Sequence, residues 1–179
     1  MDYRIWILII ILIIILIIVM WVISKINSMV FLNKKCQQAI SNIDVFLTRR
    51  YNIITNMQEV VKGYAKHEKD VLITITKLRS DMTLEEKNKF NEEISKSIDK
   101  INVVAEKYPD LKANENYLKL QQAIVDCEDN LVAARRVYNA NVNDYNVYIA
   151  KFPNIIISNL LGYKEKEYFD KEKEVYNEV

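Results

Sequence analysis

The sequence has 179 residues, and its 25 Lys and Arg residues nearly balance its 24 Asp and Glu residues. Because nucleic-acid binding requires a clear basic excess, this balance argues against nucleic acid as the main partner. Only two glycines and two prolines are present, whereas strands and hairpins need such turn residues at frequent intervals. The composition therefore predicts an all-α protein.

The N-terminal segment is apolar enough to cross a membrane. Residues 5–23 carry no charge, and nineteen helical residues extend about 28 Å, close to the thickness of the hydrocarbon core. Trp6 and Trp21 lie near its two ends, where aromatic rings prefer the membrane interface. The alternative is a cleaved signal peptide, but residues 24–27 make a poor cleavage site. We expect residues 1–24 to be a transmembrane anchor.

Basic residues are more numerous after this segment than before it. Arg4 precedes it and is opposed by Asp2, whereas Lys25, Lys34 and Lys35 follow it. Basic residues are more frequent on the cytoplasmic side of a span. The pattern therefore predicts a single-pass protein of the cell membrane whose C-terminal domain is cytoplasmic.

A heptad-like seam follows the anchor, with apolar positions at alternating spacings of three and four residues, as in coiled coils and bundles. Its members are Ile40, Ile43, Leu47, Arg50, Ile54, Met57, Val61, Tyr64, Glu68, Val71, Ile75 and Leu78. Thr83 and Glu86 then form a capping-box pattern that predicts the start of a second helix. This helix is expected to end before Pro109.

A third long helix is predicted to begin at Asn114 or Asn116 and to end at Pro153. Its seam comprises Tyr117, Leu120, Ile124, Cys127, Leu131, Ala134, Tyr138, Asn141, Tyr145, Tyr148 and Phe152. The second helix is too short to cover both long helices, so apolar residues within 155–161 are expected to complete the core. We predict an antiparallel bundle of about four helices over residues 25–162, followed by a charged, tyrosine-rich arm, 163–179, either marginally helical or extended.

The sequence resembles the LemA family in two runs that occur in the family's order. The first run comprises Ile43, Asp44, Val45, Leu47, Arg49, Arg50, Val61, Lys62, Gly63, Tyr64, His67 and Glu68. The second comprises Tyr108, Pro109, Asp110, Leu111, Lys112, Ala113, Asn114, Leu120, Gln121, Glu128, Ala134, Arg135, Arg136, Tyr138, Asn139, Tyr145, Asn146, Phe152 and Pro153.

The resemblance implies a membrane span, an antiparallel helical bundle and a bacterial envelope setting, with no enzymatic activity generally assigned. Some members are linked with membrane proteases of the heat-shock type or with membrane organisation. Two positions depart from the pattern: Thr55 stands where many members carry proline, and Ile40 where many carry tryptophan. Thr55 predicts a straighter first helix than in those relatives.

Two charged residues, Arg50 and Glu68, occupy seam positions where an apolar side chain is expected. An isolated buried charge costs several kcal/mol, so each needs a partner. We expect Arg50 to pair with an acid on a neighbouring helix, such as Glu128, and Glu68 to pair with a donor such as Arg135.

The alternative for the arginines is a binding site for an anion or a lipid headgroup, built from Arg49, Arg50, Arg135 and Arg136. Guanidinium groups suit phosphate geometry, and the spacing of these residues does not decide between the two interpretations.

Three asparagines, Asn139, Asn141 and Asn146, form a polar cluster near the end of the third helix, beside Tyr138 and Tyr145. A seam asparagine usually specifies helix register, and ligand binding is the alternative.

Cys36, Cys127 and the single His67 lack the spacing of metal ligands. We expect two buried thiols, with an interhelix disulfide as the alternative, and no cofactor, metal or catalytic site. The sequence therefore predicts a non-enzymatic, membrane-anchored helical scaffold or adaptor. Its expected partners are the lipid bilayer and either an envelope protein or a second copy of the chain. The alternative is a lipid- or anion-binding, membrane-organising protein that uses the arginine pairs.

Overall fold

The computed structural model describes residues 3–65, 78–79 and 81–169. These residues form five helices and no strand: α1 Tyr3–Tyr64, α2 Leu84–Glu106, α3 Pro109–Lys112, α4 Glu115–Ala150 and α5 Asn154–Leu160. The all-α prediction is confirmed.

The first helix, α1, continues without a break for 62 residues. At Thr55 the helix retains a backbone N–H, which proline would lack, and the Thr55 hydroxyl donates to the Tyr51 carbonyl at 3.0 Å. The apolar segment and the part of the first seam from Ile40 to Tyr64 therefore belong to a single helix.

The chain divides into two compact units. The first contains Met1–Gln38 and Ala140–Glu167, and the second contains Ala39–Asn139 and Tyr168–Val179. Each unit thus combines one part of α1 with one part of α4.

In the second unit, α1 and α4 are antiparallel. The Cys127 thiol lies 3.4 Å from the Phe46 carbonyl oxygen, and the Asn114 amide donates to the Tyr64 hydroxyl at 2.9 Å. The later residue of α1, Tyr64, thus lies beside Asn114, and the earlier residue, Phe46, lies beside Cys127, so the two helices run in opposite directions. This confirms the antiparallel arrangement of the two long helices.

The core of the second unit follows most of the predicted seam. Its buried side chains include Ile43, Leu47, Ile54, Met57 and Val61 from α1, Phe90, Ile94 and Ile101 from α2, and Tyr117, Ile124, Cys127 and Leu131 from α4. Tyr64 was predicted in this seam but is 42% exposed, and Ala65 is buried instead. A straight helix drifts against a seven-residue repeat, which accounts for this shift at the end of α1.

The predicted seam residues Glu68, Val71 and Ile75, together with His67, lie outside the described residues.

Local capping explains where α2 and α4 begin. The Thr83 hydroxyl accepts from the Glu86 N–H at 3.2 Å, and the Glu86 carboxylate accepts from the Thr83 N–H at 2.7 Å, which confirms the capping box. At the start of α4, the Asn114 side-chain oxygen accepts from the N–H groups of Asn116 and Tyr117 at 3.0 and 3.1 Å. Asn114, rather than Asn116, is therefore the cap.

The first unit has a smaller core, in which Met29 and Cys36 of α1 and Val142, Tyr145 and Ile149 of α4 are buried. Two predicted seam positions differ here. Asn141 is half-buried beside the buried Val142, and Phe152, which follows the end of α4, is 82% exposed. Both cysteines are buried and free, as expected from the sequence.

Residues 163–168 have no regular secondary structure, so the described part of the C-terminal arm is not helical. A left-handed turn at Gly162, with φ of 74°, separates them from α5, a conformation that glycine adopts without steric cost. Residues 170–179 lie outside the described part of the chain.

Candidate functional site

A polar network centred on Arg50 joins three helices of the second unit. Arg50 is only 2% exposed. Its guanidinium donates to the Asn91 side-chain oxygen at 2.5 Å, to the Ser95 hydroxyl at 3.2 Å and to the Glu128 carboxylate at 2.7 Å. The ion pair between Arg50 and Glu128 that the sequence suggested is therefore present.

The electrostatics of this network are asymmetric. Burial lowers the pKa of Arg50, Arg135 lowers it further by repulsion, and Glu128 opposes both effects. Arginine nevertheless stays protonated in proteins. Glu128 is 49% exposed, so the pair links a buried cation to a carboxylate at the surface. This arrangement fixes the register of α1, α2 and α4 and neutralises the arginine.

A second buried cation, Lys87, was not singled out in the sequence. Its side chain is 5% exposed and its ammonium group forms an ion pair with Asp44 of α1. Lys87 precedes Phe90 by three residues and Ile94 by seven, so it lies on the apolar stripe of α2. This position in the sequence could have predicted that Lys87 is buried, because a lysine stem can occupy an apolar stripe while its charge reaches a partner.

The four arginines of the predicted anion site have different surroundings. Arg50 is engaged as described, and the guanidinium of Arg135 lies 5.0 Å from the centre of the Phe169 ring. Arg49 and Arg136 are exposed. Glu68, for which Arg135 was one suggested donor, lies outside the described residues, so that pairing stays a prediction.

Two of the three predicted asparagines bind the backbone of the C-terminal arm. In the second unit, the Asn139 amide accepts from the Phe169 N–H at 2.8 Å and donates to the Phe169 carbonyl at 2.9 Å. In the first unit, Asn146 forms the same pair of bonds with Lys166, both at 2.9 Å. A primary amide matches the donor and acceptor of a backbone residue. Each asparagine side chain therefore holds one backbone residue of the C-terminal arm by two hydrogen bonds, an arrangement that we call the asparagine clasp.

An open groove of about 560 Å³ lies on the second unit. Its apolar lining comprises Met57, Ile98, Leu118, Ile124 and Val125, and its polar lining comprises Asn102, Gln121 and Gln122.

Part of the polar lining is held by hydrogen bonds. The Tyr117 hydroxyl donates to the Asn102 side-chain oxygen at 3.1 Å, and the Gln121 amide donates to both at 3.3 and 3.1 Å. Burial raises the pKa of the Tyr117 phenol, which therefore remains a neutral donor at physiological pH. Within the described residues, no three His, Cys, Asp or Glu side chains converge as a set of metal ligands.

A sequence model described as the LemA family matches residues 39–179, which is most of the chain. The chain belongs to the LemA family. The match covers the described parts of the second unit, including the Arg50 network and the groove, and confirms the resemblance seen in the sequence.

Named relatives of this LemA-family chain are distant. Magnetosome protein MamQ 1 and MamQ 2 of Paramagnetospirillum magneticum are each 21% identical to it over 83% of this chain and 65% of their own length. Protein LemA of Metamycoplasma hominis is 32% identical over 70% of this chain and 60% of its own length. The chain thus spans somewhat less than two thirds of each of these relatives.

Proposed function

We propose that this LemA-family chain is a non-enzymatic scaffold that is anchored in a membrane by the start of α1 and binds another membrane protein through its helical bundle. The observation that carries the proposal is the continuity of α1, in which an exposed apolar segment leads directly into bundle-forming turns.

The anchor is supported by exposure and composition together. Every side chain from residue 5 to residue 21 is at least 40% exposed, although none is charged. In a bilayer each Ile or Leu near the centre of such a helix contributes roughly −0.3 to −0.6 kcal/mol to insertion. Because the segment is about as long as the bilayer core is thick, we propose that it spans the membrane once. The basic residues that follow favour a cytoplasmic bundle.

The docking surface that we propose is the groove on the second unit. Leu118 and Val125, seven residues apart on α4, are 49% and 54% exposed, and Val132 continues the same row at 37%. A row of exposed apolar residues at heptad spacing is typical of a surface that receives a partner helix. The adjacent amides of Asn102 and Gln121 can bond polar groups at the edge of such a helix.

The lipid- or anion-binding alternative has less support. The Arg50 charge is already compensated by Glu128, so an anion would have to displace an ion pair that is linked to three helices. Among the four candidate arginines, the exposed ones are Arg49 and Arg136, and exposed arginines commonly remain solvated.

Photocrosslinking in living cells tests the scaffold proposal. A photoreactive amino acid is placed at Leu118 or Val125 in the groove and, as a matched control, at Val103 of α2, which is 58% exposed and does not line the groove. We expect one discrete protein adduct from the groove positions in the membrane fraction and none from Val103. Equal, diffuse labelling from all three positions would contradict a specific docking surface. An adduct whose mass equals two copies of the chain would identify self-association.

A further inference from the structure

The short helix α5 carries an unusually apolar surface for an exposed element of the first unit. Ile156 is 60% exposed, Leu160 85% and Leu161 48%, and the preceding Phe152 is 82% exposed. A contiguous group of large exposed apolar side chains is typical of a binding surface.

The opposite face of α5 is fixed to the end of α4. The Ser158 hydroxyl donates to the Ile149 carbonyl at 3.0 Å, and the Asn154 amide donates to the Tyr148 carbonyl at 3.0 Å. Both side chains are buried. Because these bonds define which face of α5 is inward, the apolar residues are held outward by the fold.

The position of α5 along α1 indicates what covers this face. Cys36 of α1 and Tyr145 and Ile149 of α4 are all buried in the first unit, so this part of α4 packs against the part of α1 that follows the apolar segment. Since the two helices are antiparallel, the end of α4 and then α5 lie further toward the apolar segment of α1. Met29 is 0% exposed, so residues of the first unit outside α1 cover the helix at this height.

Met29 lies six residues beyond the end of the uncharged run at residue 23. Six helical residues span about 9 Å, whereas the headgroup layer extends roughly 5–8 Å beyond the hydrocarbon core on each side. When residues 5–23 span the core, Met29 therefore lies at the outer edge of the headgroup layer, and the part of the first unit that covers Met29 is adjacent to the bilayer surface.

We propose that α5 and Phe152 form a second membrane contact, which lies in the interfacial layer of the leaflet from which α1 emerges. This inference rests on the proposed membrane anchor. Ile156, Leu160 and Phe152 enter the interfacial layer, while the exposed Lys151 lies near lipid phosphates, a division of roles typical of interfacial segments. The contact holds the first unit against the surface at two points and limits the tilt of that unit.

Tryptophan quenching by brominated lipid tests this contact in the full chain. The natural tryptophans are Trp6 and Trp21. Three single-tryptophan variants are reconstituted in phosphatidylcholine vesicles with bromine near the headgroup end of the acyl chains: W6F, which retains Trp21; W6F/W21F/I156W; and W6F/W21F/V137W. Val137 is 55% exposed, close to the 60% of Ile156, and serves as the matched control.

We expect loss of fluorescence, relative to unbrominated vesicles, for Trp21 and for the I156W variant but not for the V137W variant. Circular dichroism confirms that all three variants keep the same helical content. Quenching of Trp21 without quenching of the I156W variant would overturn the second contact and leave the anchor standing. If Trp21 itself is not quenched, the anchor fails, and the second contact fails with it.

Discussion

The two ends of α1 are both helical and both rich in isoleucine, yet they have different surroundings. From residue 5 to residue 21 all side chains are apolar and at least 40% exposed, whereas between Ala39 and Tyr64 one face is buried and the other is mostly polar. The distribution of polar residues around the helix, rather than helix formation itself, distinguishes a surface suited to lipid from one that packs against protein.

The largest effect is expected from placing charge in the apolar part. The double variant I10R/I14R puts two arginines on one face near the centre of the segment, and each costs roughly 2.5–3.5 kcal/mol of insertion free energy. We expect the full chain to shift from the carbonate-resistant membrane fraction to the supernatant or to aggregates. The I10L/I14L variant should stay in the membrane. Unchanged membrane retention of I10R/I14R would contradict the anchor.

The substitution of isoleucine by alanine should reduce the stability of the bundle in one part of α1 and leave it nearly unchanged in the other. Ile54 is 1% exposed and Ile14 is 50% exposed. Ile54→Ala leaves a cavity in the core and should reduce the free energy of unfolding by about 2–5 kcal/mol, measured by thermal unfolding in detergent micelles. Ile14→Ala should leave the unfolding of the bundle nearly unchanged. Equal effects would mean that the apolar part also packs against protein.

The polar interior of the bundle can be tested at Glu128. Glu128→Gln leaves Arg50 buried without its counter-charge and should destabilise the bundle by roughly 1–3 kcal/mol. Glu115→Gln, which breaks an exposed pair with Lys119 on the same helix, should cost about 0.5 kcal/mol or less.

Combining Arg50→Met with Glu128→Gln should recover part of the lost stability, because an apolar side chain then replaces the uncompensated charge. The free energy of unfolding in urea is measured for the parent chain, Glu128→Gln, Glu115→Gln and the double variant. If the double variant is less stable than Glu128→Gln alone, Arg50 contributes chiefly through Asn91 and Ser95.

A smaller and more local effect is expected at Asn139. Asn139→Ala removes both bonds to Phe169 and should reduce local stability by roughly 1–2 kcal/mol, seen as faster hydrogen exchange of the Phe169 amide. Asn141→Ala, a change of the same kind two residues away, should leave that exchange rate unaltered. Equal rates in the Asn139 variant and the parent chain would show that the arm does not depend on the clasp.

The features that the sequence predicted correctly are those with a periodic or local signal. The uncharged run, the capping box at Thr83 and most of the seam from Ile43 to Val61 depend on neighbours within one or two turns. The pair between Arg50 and Glu128 was also accessible, because a charge on a buried stripe requires a partner.

The features that were missed or left open depend on contacts between distant segments. The bonds of Asn139 and Asn146 to the arm join residues 30 and 20 positions apart. The sequence alone does not distinguish an asparagine that binds the arm from one that specifies helix register. Val142 and Asn141 are adjacent, so a small drift of the seam decides which is buried. Burial of Lys87 was not predicted because the residue is charged, although its aliphatic stem is long enough to occupy an apolar stripe.

Hydrogen–deuterium exchange of the full chain in lipid nanodiscs, followed as urea is increased, tests most directly whether α1 is both an anchor and a member of the bundle. We expect two separate transitions. Amides of residues 40–61 should lose protection when the bundle unfolds, while those of residues 5–23 stay protected by the bilayer. Rapid exchange of residues 5–23 without urea, or loss of protection in both parts at the same urea concentration, would contradict the account.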